Sequence, residues 1–171
     1  VSSTSGAGAG GDITVAATDT VSISGFDTTG TLTGVTSVLL VDQNTGLPAV
    51  ASGIYSLTSS SGSGGHINLS APTATVTLQN GGSIVSVASG DGTGGNVTVR
   101  AMTMNVTDGG QIGTFTGADL ALGELTGGIG PGGNITVSAQ DFLTLAGFSS
   151  DLGVTSSISS QTFGPGKAGD I

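Results

Sequence analysis

The stretch "GPGGNITVSA" at 130–139 has three near-copies in the chain: "GAGGDITVAA" at 8–17, "GSGGHINLSA" at 62–71 and "GTGGNVTVRA" at 92–101. A fifth opens at "GKAGDI", 166–171. Each copy is a glycine run, one polar residue, then apolar–polar–apolar. Internal repetition of this kind decides an architecture before any single motif does.

Taking the last glycine of each run as a marker gives Gly11, Gly65, Gly95, Gly133 and Gly169, spaced by 54, 30, 38 and 36 residues. The spacing varies, but three parts inside each unit do not. The first is a triplet: Ile13-Thr14-Val15, Ile67-Asn68-Leu69, Val97-Thr98-Val99 and Ile135-Thr136-Val137. A second follows 7–9 residues later: Val21-Ser22-Ile23, Val76-Thr77-Leu78, Met104-Asn105-Val106 and Leu143-Thr144-Leu145. The third is anchored on Ile54, Ile84, Ile112 and Ile158, with Ser56, Ser86, Thr114 and Ser160 two places on. From that isoleucine to the next marker is 11 residues in three units; the fourth, 112 to 133, carries ten more.

Alternation at period two places the outer members of a triplet on one face and the middle member on the other. A three-residue strand cannot bury its apolar face alone, so the units must stack. Ile13, Ile67, Val97 and Ile135 then form one interior column, Val21, Val76, Met104 and Leu143 another, and Ile54, Ile84, Ile112 and Ile158 a third. The expected fold is all-β: a parallel β-helix of three short strands per coil, about four to five coils. The polar residues after the markers, Asp12, His66, Asn96, Asn134 and Asp170, form a corner ladder. Asn and Asp suit a corner because they accept left-handed backbone and bond nearby amides. The glycines before them are expected to supply positive φ.

Composition agrees. Gly stands at 33 of 171 residues without a period of three, which excludes collagen. Charged residues are only 8%, and the alternating Val, Ile and Thr argue against disorder. Aromatics at 4% leave an aliphatic interior. With no Cys, neither a disulfide nor a thiolate metal site is available. The net charge of −9 and two cations, Arg100 and Lys167, exclude a nucleic-acid phosphate backbone as partner and disfavour anionic lipid. No apolar run approaches the ~20 residues that span a bilayer.

Two insertions leave the coil at 25–52 and 117–127. In the first, "SVLLV" (37–41) is apolar enough to add a strand; in the second, Leu120, Leu122 and Leu125 fit either a helical turn or a strand. Both emerge near the third strand, whose outward residues include Tyr55, Leu57, Val85, Val87 and Phe115. The insertions are expected to cover that strip. Residues 1–171 read as a single β-helix segment. Val1 opens in the tail of a unit and Ile171 falls early in another, so a window of a longer solenoid is expected, or a subunit that stacks end to end. Any targeting segment would lie outside this stretch.

The units resemble the repeats of filamentous haemagglutinin-like exoproteins of the two-partner secretion type. The resemblance rests on "GGNITV" with an "LTL"-like strand after it, on "NGGSI" (80–84) and "DGGQI" (108–112), and on the Ser/Thr strand and Gly-rich run that follow. It covers nearly all of the chain except the insertions. It implies a right-handed β-helix, export across a bacterial outer membrane, an extracellular or cell-surface location and a role in adhesion or surface structure. It supplies no catalytic residues.

A search for chemistry returns little. His66 is the one histidine, without a second His or a Cys, and it sits in the Asn/Asp column, so its reading is a corner residue and not a catalytic base. Asp12, Asp91 and Asp170 are the carboxylates that would serve Ca²⁺, but the contiguous nonapeptide Ca²⁺ repeat is absent. No cofactor is expected. A polysaccharide lyase needs a cation beside grouped carboxylates, and Arg100 and Lys167 lie in different units. Thr14, Thr98 and Thr136 suggest an ice-binding ladder that Asn68 interrupts. The Asn-x-Ser/Thr triplets at 68, 96, 105 and 134 follow from strand alternation. The expectation is a non-enzymatic segment of an extracellular fibre. Its partners would be further copies or coils of itself, and surface glycans or receptors. The alternative is a carbohydrate-binding or carbohydrate-processing β-helix.

Overall fold

The computed structural model describes residues 1–4, 7–27, 39–41, 43–45, 48–59, 61–119, 124–125 and 127–171. Every regular element among them is a strand. The chain opens with β1 (Ser2–Thr4), β2 (Ile13–Ala16) and β3 (Val21–Ser24). The first insertion holds β4 (Phe26–Asp27), β5 (Leu39–Val41) and β6 (Pro48–Ala51). Then come β7 (Gly53–Thr58), β8 (Ile67–Gln79), β9 (Ser83–Ala88), β10 (Val97–Thr107) and β11 (Gln111–Thr116). β12 (Ala118–Asp119) and β13 (Glu124–Leu125) belong to the second insertion, and β14 (Ile135–Ala146), β15 (Phe148–Ser149), β16 (Val154–Thr155) and β17 (Ser157–Thr162) complete the chain.

Two parallel sheets dominate. One runs β1-β7-β9-β11-β17; the other runs β14-β10-β8, with β2 and β3 end to end along the same edge of β8. Each strand pairs with the same strand of the neighbouring repeat, so the register follows the repeat. Ile13 lies opposite Ile67, Ile67 opposite Val97, and Val97 opposite Ile135. Ile54, Ile84, Ile112 and Ile158 fall in line in the other sheet. The inward faces of both sheets share one aliphatic core, in which Ile67, Val76, Ile84, Val97, Met104 and Ile112 are fully buried. Ile13, Val21 and Ile158 pack against it half-buried because their strands have a neighbour on one side only, and Ile54 because β1 pairs with β7 only from Ser56 onward.

The expected three strands per repeat need correction. In three repeats the first two triplets lie on a single strand of 11–13 residues. Their corner is a shift of register: Ala101 to Thr103 on β10 spans Ala71 to Thr75 on β8 and Ala139 to Phe142 on β14. Extra residues are absorbed there as bulges without ending the strand. Only in the first repeat do β2 and β3 stay separate.

The insertions form small antiparallel sheets: β4-β6-β5 in the first and β12-β13 in the second. Leu39–Val41 is thus a strand, as expected of that apolar run. Leu125 lies in a strand and not in a helical turn. Ser37, Val38, Leu120 and Leu122 lie outside the described residues. A third excursion, the hairpin β15-β16, was not anticipated. On the outer face of β7, β9 and β11, Tyr55, Leu57, Val85 and Val87 are buried and Phe115 packs on them half-buried, so the strip is not bare. The Tyr55 hydroxyl donates to the Ala51 carbonyl of the first insertion at 2.9 Å.

Candidate functional site

The polar residues of the repeated motif meet in one place. Asp12 Oδ1 accepts the backbone N–H of His66 at 2.8 Å, and His66 Nδ1 accepts that of Asn96 at 2.9 Å. Asn96 Oδ1 accepts the N–H of Asn134 at 2.8 Å, and Asn134 Oδ1 that of Asp170 at 2.9 Å. The five residues form one directional chain of four bonds, in which the first four side chains each cap the backbone of the next repeat. A short side chain with an acceptor two or three bonds from Cβ is what the position demands, and Asp, Asn and His all supply it. Accepting through Nδ1, the His66 ring carries its proton on Nε2 in this arrangement.

Of the two reasons expected for these residue types, bonding to nearby amides holds and left-handed backbone does not. None of the five ladder residues, and none of the paired glycines before them, has positive φ. The glycines are required by contact. A Cβ at Gly65 would collide with the Gly11 carbonyl oxygen, one at Gly95 with that of Gly65, one at Gly133 with that of Gly95 and one at Gly169 with that of Gly133. The loops stack backbone on backbone, which excludes any side chain. Positive φ appears at another corner, in the turns Asn80-Gly81 and Asp108-Gly109.

Buried hydroxyls fasten these loops to the neighbouring sheet. Ser56, Ser86 and Thr114 Oγ donate to the carbonyls of Gly11, Gly65 and Gly133 at 3.3, 3.0 and 2.7 Å, and Ser160 Oγ shares the Gly133 carbonyl at 2.9 Å. Ser86 and Thr114 are fully buried, so each must be satisfied inside, and each is. The sequence signal was the Ser or Thr two places after each isoleucine anchor.

The first insertion and the unanticipated hairpin meet on a third side. Gln43 N–H donates to the Asp151 carbonyl, and Asn44 Nδ2 donates to Asp151 Oδ1 at 3.0 Å. Leu152 is buried over Gly81, where an added Cβ would strike its side chain. The two excursions therefore brace the stack along its length. Under the first insertion, burial pushes the Tyr55 hydroxyl up to about 12, against a smaller opposing effect from its hydrogen bond with the Ser83 side chain. Gly53 and Gly113 lie directly beneath the rings of Tyr55 and Phe115, which leave no room for a Cβ.

Asp12 and Asp170 stand at opposite ends of the ladder, and Asp91 Oδ1 accepts the N–H of Ile129 at 3.3 Å. The structure does not bring these three carboxylates together. Among the described residues, no group of three or more His, Asp or Glu side chains is placed to hold a metal ion. The site is a set of columns whose chemistry is hydrogen bonding between repeats.

Comparisons with protein-family models, with curated proteins and with solved structures find no match to this chain.

Proposed function

We propose that the chain is a stretch of a right-handed parallel β-helix of about four to five coils, serving as a structural and adhesive segment of an extracellular or cell-surface fibre. The observation that carries this reading is the shared step. Strand pairing, the corner ladder and the glycine stack all repeat with the same one-repeat translation. Coils of this kind contact only their neighbours, so stiffness and stability grow by adding interfaces. The resemblance to filamentous haemagglutinin-like repeats supports the handedness and the location at a bacterial surface.

The partner in this reading is more of the same fold. On the outermost strand β14, Leu143 and Leu145 occupy core columns yet stay about half exposed, at 49% and 48%. A further layer of strands would cover both leucines. One sheet has five layers and the other four. Continued winding along the polypeptide and end-on seating of a further copy are the two ways to supply a further layer. No catalytic role is proposed, and the excursions are the surfaces offered to glycans or receptors.

Electron microscopy of the native material tests this. Thin rods with a ~4.8 Å strand spacing along the rod axis are expected. Compact particles with no axial repeat would overturn the fibre reading.

A further inference from the structure

Asn80 is followed by glycine, and none of the five other asparagines is: Asn44, Asn68, Asn96, Asn105 and Asn134 precede Thr45, Leu69, Val97, Val106 and Ile135. Its side chain is exposed, with one long contact, Nδ2 to Ser24 Oγ at 3.4 Å. The turn it opens is built twice in this molecule. Asn80 and Gly81 hold φ of 50° and 83°, while Asp108 and Gly109, one repeat on, hold 49° and 82°. Both turns close with the same bond, Gly82 N–H to Gln79 O and Gly110 N–H to Thr107 O, each at 2.9 Å. The same conformation thus accepts an amide in one repeat and a carboxylate in the next.

We infer that Asn80 is a site of spontaneous deamidation, and that the Asp108 turn is the form its aspartate product takes. The Gly81 backbone nitrogen, losing its proton, attacks Asn80 Cγ. A Cγ–N bond forms, the Cγ–Nδ2 bond breaks, and Nδ2 leaves as ammonia with that proton. Water then opens the five-membered imide. Opening at Cγ gives aspartate. Opening at the main-chain carbonyl of residue 80 gives isoaspartate, whose backbone runs through Cβ and Cγ. No oxidant or reductant is needed. Gly81 carries no side chain to hinder its nitrogen, and its N–H is held only by a 3.3 Å bond to the Asp108 carbonyl. At Asn96 and Asn134, by contrast, the side-chain oxygen is engaged in the ladder and the following residue is β-branched.

The two products differ in what the fold tolerates. Aspartate adds a charge one layer from Asp108 and keeps the turn. Isoaspartate adds a backbone atom where Gly82 is already pressed against the Ile23 carbonyl, so the turn must open.

The test is to incubate the folded chain at mildly alkaline pH and map it by mass, using a protease that cuts before aspartate. The expected result is conversion at residue 80 ahead of the five other asparagines. Part of the product gains a cut between Gln79 and residue 80, and an uncut isoaspartate fraction of equal mass melts lower. N80D should fold with the wild-type circular dichroism, and N80S should show no conversion at this turn. Conversion that begins at another asparagine would overturn the assignment. So would a folded chain that stays unmodified at residue 80 while the urea-unfolded chain converts. An N80D chain that fails to fold would overturn the claim that Asp108 is the template.

Discussion

At the corner ladder a side chain is selected for one property, an acceptor within reach of the next repeat's N–H. Asn96→Ala removes that acceptor from Asn134 N–H and is expected to cost about 0.5–1.5 kcal/mol, whereas Asn96→Asp keeps it and should cost less; urea unfolding of the two variants decides. The column itself was legible in the sequence, because polar residues recur at a fixed place after glycine pairs. Its cause was legible in part: bonding to nearby amides was expected, but so was left-handed backbone, which favours the same Asn and Asp and is absent here. Tyr55 was legible as an outward residue of the strip expected to lie under the insertions, and its hydroxyl does meet the Ala51 carbonyl of the first one. Its phenol is raised from 10.0 to about 12 by burial. The unfolded chain therefore loses this proton first, so the stabilisation is whole below about pH 10 and is lost as pH rises towards 12. With one Tyr and no Trp in the chain, the tyrosinate absorbance reports this residue alone. A midpoint at the ordinary phenol value in the folded protein would contradict the buried placement.

At the scale of elements, the long strands β8, β10 and β14 show how a repeat of variable length keeps its register. Odd residues are taken up as a bulge near Ala101, so columns on both sides of it stay aligned. The sequence showed two triplets and a variable gap, which reads equally as two strands with a corner or as one bent strand. The hairpin β15-β16 was legible only as spacing: Leu145 to Ile158 is 13 residues, where Leu78 to Ile84 and Val106 to Ile112 are 6. Its partner is the first insertion, across the Asn80 and Asp108 turns, and that contact lies beyond the reach of periodicity. Leu152 is the hairpin's buried anchor at 2% exposure. Leu152→Ala should therefore destabilise the fold by about 2–5 kcal/mol, measured by thermal or urea unfolding. A loss near zero would mean that the hairpin rides on the stack without bracing it.

For the whole molecule, the central claim is that repeats are interchangeable layers. Residues 66–95 form one complete layer, from His66 in the ladder to the next marker glycine, with β8 and β9 between. Duplicating that segment after Gly95 preserves every neighbour in the ladder and in both sheets. It opens only the brace from Gln43 and Asn44 to Asp151, which spans the added layer. The measurement is small-angle X-ray scattering of the duplicated chain beside the wild type. A folded particle of unchanged cross-section, longer by ~4.8 Å along one axis, is the result this account predicts. A chain that fails to fold, or one that grows in width and not in length, would contradict it.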